Sequence, residues 1–140
     1  MSDEALEPTD ENLMKHVFGD EVSSARMREA MQSPVASEYN KVISQANQPL
    51  WQRRVVPLRS TVLFNLAILA SINRPHELYT RILGLLRGGI SVEEIQEVIM
   101  HIGFYVGNPA GVEATVSLHE ATQNLTERGI PFRQTPFRSG

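Results

Sequence analysis

Apolar positions along this chain recur every three or four residues, and no run alternates with the period of two that marks a half-buried strand. The periodicity predicts an all-α, single-domain bundle of about six to seven helices. ENLMKHVFG (11–19) reads as a short helix ended by Gly19. Asp20 is placed to cap a second helix, EVSSARMREAMQ, which Ser33-Pro34 stops. In VASEYNKVISQAN (35–47), Val35, Tyr39, Val42, Ile43 and Ala46 share one face. PLWQRRVVP (49–57) then reads as a connector holding the only tryptophan, Trp51, and two adjacent arginines.

The next helix, Leu58 to Ile72, is apolar almost all round, which predicts a place in the middle of the bundle or between subunits. Pro75 starts another helix after Asn73, and Gly88-Gly89 close it. Ser91, with Glu94 three residues on, forms the capping-box signature for SVEEIQEVIMHIGFYVG. Asn108-Pro109 open a last helix that stops at Gly129. The expected organisation is an acidic flexible tail at 1–10, a helical domain at 11–129 and a C-terminal tail at 130–140. That second tail repeats Pro-Phe-Arg, and its two phenylalanines are expected to pack on a surface, either of this chain or of a neighbouring subunit.

On a helical wheel of about 100° per residue, Val92, Ile95, Val98, Ile99, Ile102 and Val106 make one stripe facing the core. Met100 and Phe104 lie nearly opposite, which implies a second buried surface supplied by another copy of the chain. Between the two faces runs a polar stripe of Glu94, Glu97, His101 and Tyr105. Glu97 and His101, four residues apart, are within mutual reach, and a carboxylate there favours an imidazolium. Two readings fit this spacing: an acid–base histidine with a phenol one turn on, or a rim histidine tied to a neighbouring glutamate.

Composition narrows the chemistry. The chain has 140 residues and no cysteine, so disulfides, thiol redox chemistry and cysteine nucleophiles are excluded. A net charge of -3 supplies no basic surface for nucleic acid. The longest strongly apolar segment, TVLFNLAILASI, is too short to cross a bilayer, and the acidic start does not look like a signal peptide. A cytoplasmic protein is expected. No histidine pair has a third ligand at metal-binding spacing, and LRGGIS lacks the phosphate-loop lysine. Neither metal nor cofactor is expected.

Thr61 to Ala121 resembles the carboxymuconolactone decarboxylase family, most strongly through NLAILASINRPHEL, GLLRGGISVEEIQEVIMH and HIGFYVGNPA. With VFGDE and the connector carrying Trp51 and Arg53, the likeness extends over about residues 11 to 127. It implies the helical fold shared with alkyl hydroperoxidase D-like proteins, assembly as a homotrimer or homohexamer, and active sites between subunits. It also implies cofactor-free loss of CO2 from a carboxylated lactone in aromatic catabolism. The cysteine-dependent peroxidase branch does not fit a chain without cysteine.

Within the resemblance, His101, Tyr105, Gly107 and Pro109 match the decarboxylase branch, as does Arg53 after Trp51. Arg81 stands where that branch has a histidine, Arg87-Gly88 replace Asn-Asn, Pro49 replaces an acidic residue and Val62 a serine. If these positions line the pocket, a related reaction on another substrate is expected. His101 then serves as general acid/base, Glu97 orients it, and Tyr105 donates to an enolate oxygen. Arg81 or Arg53 clamps a carboxylate, with Trp51 and Asn108 completing the substrate contacts. The alternatives are a non-catalytic oligomeric scaffold or small-ligand binder that keeps the fold, and a cyclase or isomerase of secondary metabolism.

Overall fold

A computed structural model describes residues 6–17 and 29–138. All regular structure among them is helical: α1 (Asp10–Val17), α2 (Pro34–Gln52), α3 (Leu58–Ser71), α4 (Pro75–Arg87), α5 (Val92–Tyr105) and α6 (Asn108–Glu127). Gly19, Asp20 and most of the second expected helix lie outside the described residues. The chain divides into two compact units, one formed by 1–22 with 58–140 and the other by 23–57.

In the larger unit, α4 packs on α1, α3 and α6, and α5 packs on α3 and α6. Helix α3 also packs on α1 and α6, and α4 is the most deeply buried, with Leu78, Ile82, Leu83, Leu85 and Leu86 all buried. The nearly all-apolar α3 buries Leu58, Val62, Leu66 and Ala70 along one edge but leaves Phe64 and Ile68 about half exposed, with Ile72 just beyond it. Mean hydropathy names a helix that avoids water; neighbours decide which of its faces does so. Val62 belongs to this core rather than to a pocket lining.

Two glycines set the helix spacing. A Cβ on Gly84 would lie 2.7 Å from the His16 carbonyl oxygen and 3.0 Å from the Val17 Cα, so only glycine lets the end of α1 rest on α4. A Cβ on Gly111 would lie 3.0 Å from the Gly103 Cα, where α5 and α6 cross.

Residues 130–138 run back to the start of α5. The Val92 and Glu93 amides donate to the carbonyls of Arg133 and Gln134, at 2.9 and 3.1 Å. These bonds occupy donors that a helix N-terminus otherwise leaves unpaired. Phe132 and Phe137 are half-buried there, and the Arg133 guanidinium sits 5.1 Å from the centre of the Phe137 ring. Ahead of α1, the Asn12 side-chain amide donates to the Glu7 carbonyl at 2.8 Å and the Leu13 amide to the Thr9 carbonyl at 2.9 Å, so residues 7–9 are tied to that helix.

In the smaller unit the expected connector is corrected. The helix runs through Pro49 and ends at Gln52, with the Arg53 amide bonded to the Leu50 carbonyl. Proline removes one amide, the one that would bond to the Gln45 carbonyl, and the remaining turns carry the helix past it. Val35, Tyr39, Val42 and Ile43 share a face as the spacing predicted, and that face is exposed.

Candidate active site

The start of α5 is built as its sequence predicts. Ser91 Oγ accepts from the Glu94 amide at 3.1 Å, while Glu94 Oε2 accepts from the Ser91 amide at 2.8 Å and from its hydroxyl at 2.9 Å. The other Glu94 oxygen pairs with the Arg59 guanidinium in the first turn of α3. This cluster ties the N-terminal turns of α3 and α5 together. Glu94 thus leaves the polar stripe inferred from the wheel and becomes a structural group.

Downstream of that tie, α3 and α5 line an open groove of about 590 Å³. From α3 come Ser60, Leu63, Phe64 and Ala67. From α5 come Glu97, Val98, His101, Ile102, Tyr105 and Val106. Ile102 is core, whereas Val106, expected in the core stripe, is half exposed and faces the groove. The reason is local: α5 ends at Tyr105 and Val106 is its C-cap, so the stripe stops one turn early.

His101 Nε2 lies 3.2 Å from Glu97 Oε1, the contact predicted by their i, i+4 spacing. Both side chains are about two-thirds exposed, at 66% and 69%. Tyr105 follows one turn on, with its ring set edge-on to Phe104 at 4.9 Å between centres. Met100 and Phe104 remain exposed, and with His101 and Tyr105 they edge a second depression of about 300 Å³. The groove thus joins one imidazole, one carboxylate and one phenol to an apolar wall, a set able to bind an apolar body and move a proton beside it.

The remaining predicted residues are placed elsewhere. Arg81 is on α4, and burial pushes its pKa down from the ordinary arginine value. It is not among the residues that line the groove. Asn108 is the exposed first residue of α6, following Gly107 at φ 138°. Trp51 and Arg53 belong to the smaller unit, Trp51 half-buried in the last turn of α2 and Arg53 exposed at its C-cap. Among the described residues no group of three or more His, Asp or Glu could hold a metal ion, and no helix is long and apolar enough to cross a membrane.

Sequence reasoning missed the α3 wall of this site. Leu63, Phe64 and Ala67 carry no chemical signature. The one available signal was that α3 has more apolar positions than a single packing face uses. It also missed the Gly103–Gly111 crossing, which sets how closely α6 supports the stretch of α5 that bears His101.

No family model matches the chain. Among curated proteins it is similar to 4-carboxymuconolactone decarboxylase of Acinetobacter baylyi, 27% identical over 81 residues, which make up 58% of this chain and 58% of that protein. It is also similar to nitrosuccinic acid decarboxylase of Metarhizium robertsii, 24% identical over 116 residues, covering 82% of this chain and 80% of the relative. The first match thus spans less than two thirds of that relative's length. Both relatives are named as decarboxylases.

Proposed function

We propose that this chain is a cofactor-independent enzyme of the carboxymuconolactone decarboxylase family that removes a carboxylate from a small substrate able to form an enolate. The observation that carries this reading is the Glu97–His101 pair set beside Tyr105 on the wall of the α3–α5 groove. Two relatives named as decarboxylases support it.

In the proposed reaction the bond between the carboxylate and the α-carbon breaks, CO2 leaves, and the electron pair passes into an adjacent carbonyl as an enolate. Tyr105 donates a hydrogen bond to that oxygen. His101, held by Glu97, delivers a proton to the α-carbon and recovers it from solvent. Isomerisation of a related carboxylated compound uses the same groups without loss of CO2. The exposed Met100 and Phe104 fit an assembly of several copies, a trimer or hexamer, that would enclose the groove. Neither Arg53 nor Arg81 is among the residues that line the groove, so in this reading the substrate carboxylate meets His101 instead of an arginine clamp.

The test is CO2 release from a panel of β-keto acids and carboxylated lactones by the wild type and His101→Gln. Turnover that falls roughly 100-fold or more in the variant supports the reading. Equal rates would remove His101 from the mechanism. The exposure of His101 in an open groove favours a second reading, a small-ligand binder without catalysis. Ligand binding with no turnover across the panel would establish it.

A further inference from the structure

The charges of the groove are as informative as its acid–base pair. Its lining includes no lysine or arginine, and its one carboxylate, Glu97, faces the same space as any bound anion. His101 is the single side chain there able to become a cation. Leu63, Phe64 and Ala67 on α3, with Ile102 and Val106 on α5, supply the apolar part of the lining. The volume of about 590 Å³ suits a ring-sized ligand rather than a two-carbon or three-carbon acid. A ligand with two carboxylates would set one beside His101 and the other against hydrocarbon or Glu97, where the lining offers only the Ser60 and Tyr105 hydroxyls and no second cation to offset its lost hydration.

We propose that the groove selects a molecule with one carboxylate and an apolar ring body, the carboxylate held at His101 and the ring against Phe64 and Leu63. The proposal rests on the decarboxylase reading only for what happens after binding. Such a ligand loses nothing by leaving water at its ring end and keeps its charge at the imidazole. A short dicarboxylate gains nothing from the apolar wall and meets repulsion from Glu97. Where the substrate is a β-keto acid of this kind, the carboxylate leaves as CO2, the ketone oxygen becomes the enolate, and His101 returns a proton to the α-carbon. The product is then a neutral aryl ketone.

Two pairs of probes test the proposal on the full-length protein. Phenylacetate and succinate, which do not react, report binding through amide chemical-shift changes at 60–67 and 97–106. Benzoylacetate and oxaloacetate, both β-keto acids, report turnover. Phenylacetate should shift residues on both walls and bind at least about 10-fold more tightly than succinate. His101→Gln should weaken phenylacetate binding about 10-fold. Phe64→Ser, at a half-exposed position, should weaken phenylacetate and leave the weak succinate binding unchanged. Benzoylacetate should exceed oxaloacetate in kcat/KM by a similar factor.

Succinate binding as well as phenylacetate, or oxaloacetate turning over faster with His101 dependence, overturns the selectivity while the decarboxylase reading stands. Phenylacetate binding that depends on Phe64 and His101, without CO2 release from either β-keto acid, leaves the selectivity in place and removes the decarboxylase reading. No shift at 60–67 from any probe, with those residues shielded by a second copy of the chain, overturns the proposal outright.

Discussion

At the first turn of α5, Glu94 is 12% exposed and is held by the Ser91 amide, the Ser91 hydroxyl and Arg59. One turn further, Glu97 is 69% exposed and lies 3.2 Å from a histidine that is 66% exposed. The two glutamates are three residues apart on one helix. The first is committed to joining α3 to α5, while the second stands in the groove that this junction leaves open. A carboxylate whose oxygens are already satisfied is a poor partner for a substrate, and a carboxylate in water adds little to stability. Stability and chemistry should therefore separate cleanly along this helix.

The comparison breaks most visibly at His101. His101→Gln should lower turnover roughly 100-fold, about 2.7 kcal/mol of barrier. Its melting temperature should stay within about 2 °C of the wild type, since the side chain is largely exposed. A large fall in melting temperature would make His101 a structural residue. Glu94→Ala should do the reverse. Loss of its two hydrogen bonds to Ser91 and of the ion pair should reduce stability by about 2 kcal/mol in urea titrations. Arg59 is partly exposed, so water screens its share. Urea midpoints that coincide for this variant and the wild type would show that Glu94 does not join the helices.

Ser91→Ala removes the acceptor of the Glu94 amide and one donor to Glu94 Oε2, and should reduce stability by about 1 kcal/mol, roughly half the effect at Glu94. A loss equal to or larger than that of Glu94→Ala would overturn this ranking of the two residues. The smallest effect is at His16, whose pKa is lowered first by burial and then by the charges of Arg87 and Lys15. The folded chain binds fewer protons there than the unfolded chain. Stability should be whole above the ordinary histidine pKa of about 6.5 and decline as the pH falls from there through the lowered value. Melting curves at about pH 7.5 and pH 5 should show a smaller decline for His16→Gln than for the wild type. An identical decline would assign the acid sensitivity to other groups.

Much of this molecule was legible before its structure. The Ser91–Glu94 capping box, the break at Gly107–Asn108, the Gly88-Gly89 stop and the contact between Glu97 and His101 all depend on residues four or fewer apart. Such interactions are written in local spacing. Pro49 shows where a local rule fails: proline weakens a helix by one bond, and a long helix with turns on both sides survives it. Val106 shows another, because a wheel continues the stripe past the residue where the helix ends.

Local sequence thus determined the helices, their caps and the pairing of Glu97 with His101, because each is decided within about one turn of backbone. It did not determine that α4 is buried on most of its faces while α3 keeps Phe64 and Ile68 half exposed, that Val62 is core while Phe64 is groove, or that Arg81 is half-buried outside the groove lining. Those outcomes depend on which helix faces are covered by partners distant in sequence. The close approaches at Gly84 and Gly111 set those partners' spacing. Burial is a property of neighbours, and neighbours exist only once the chain has folded.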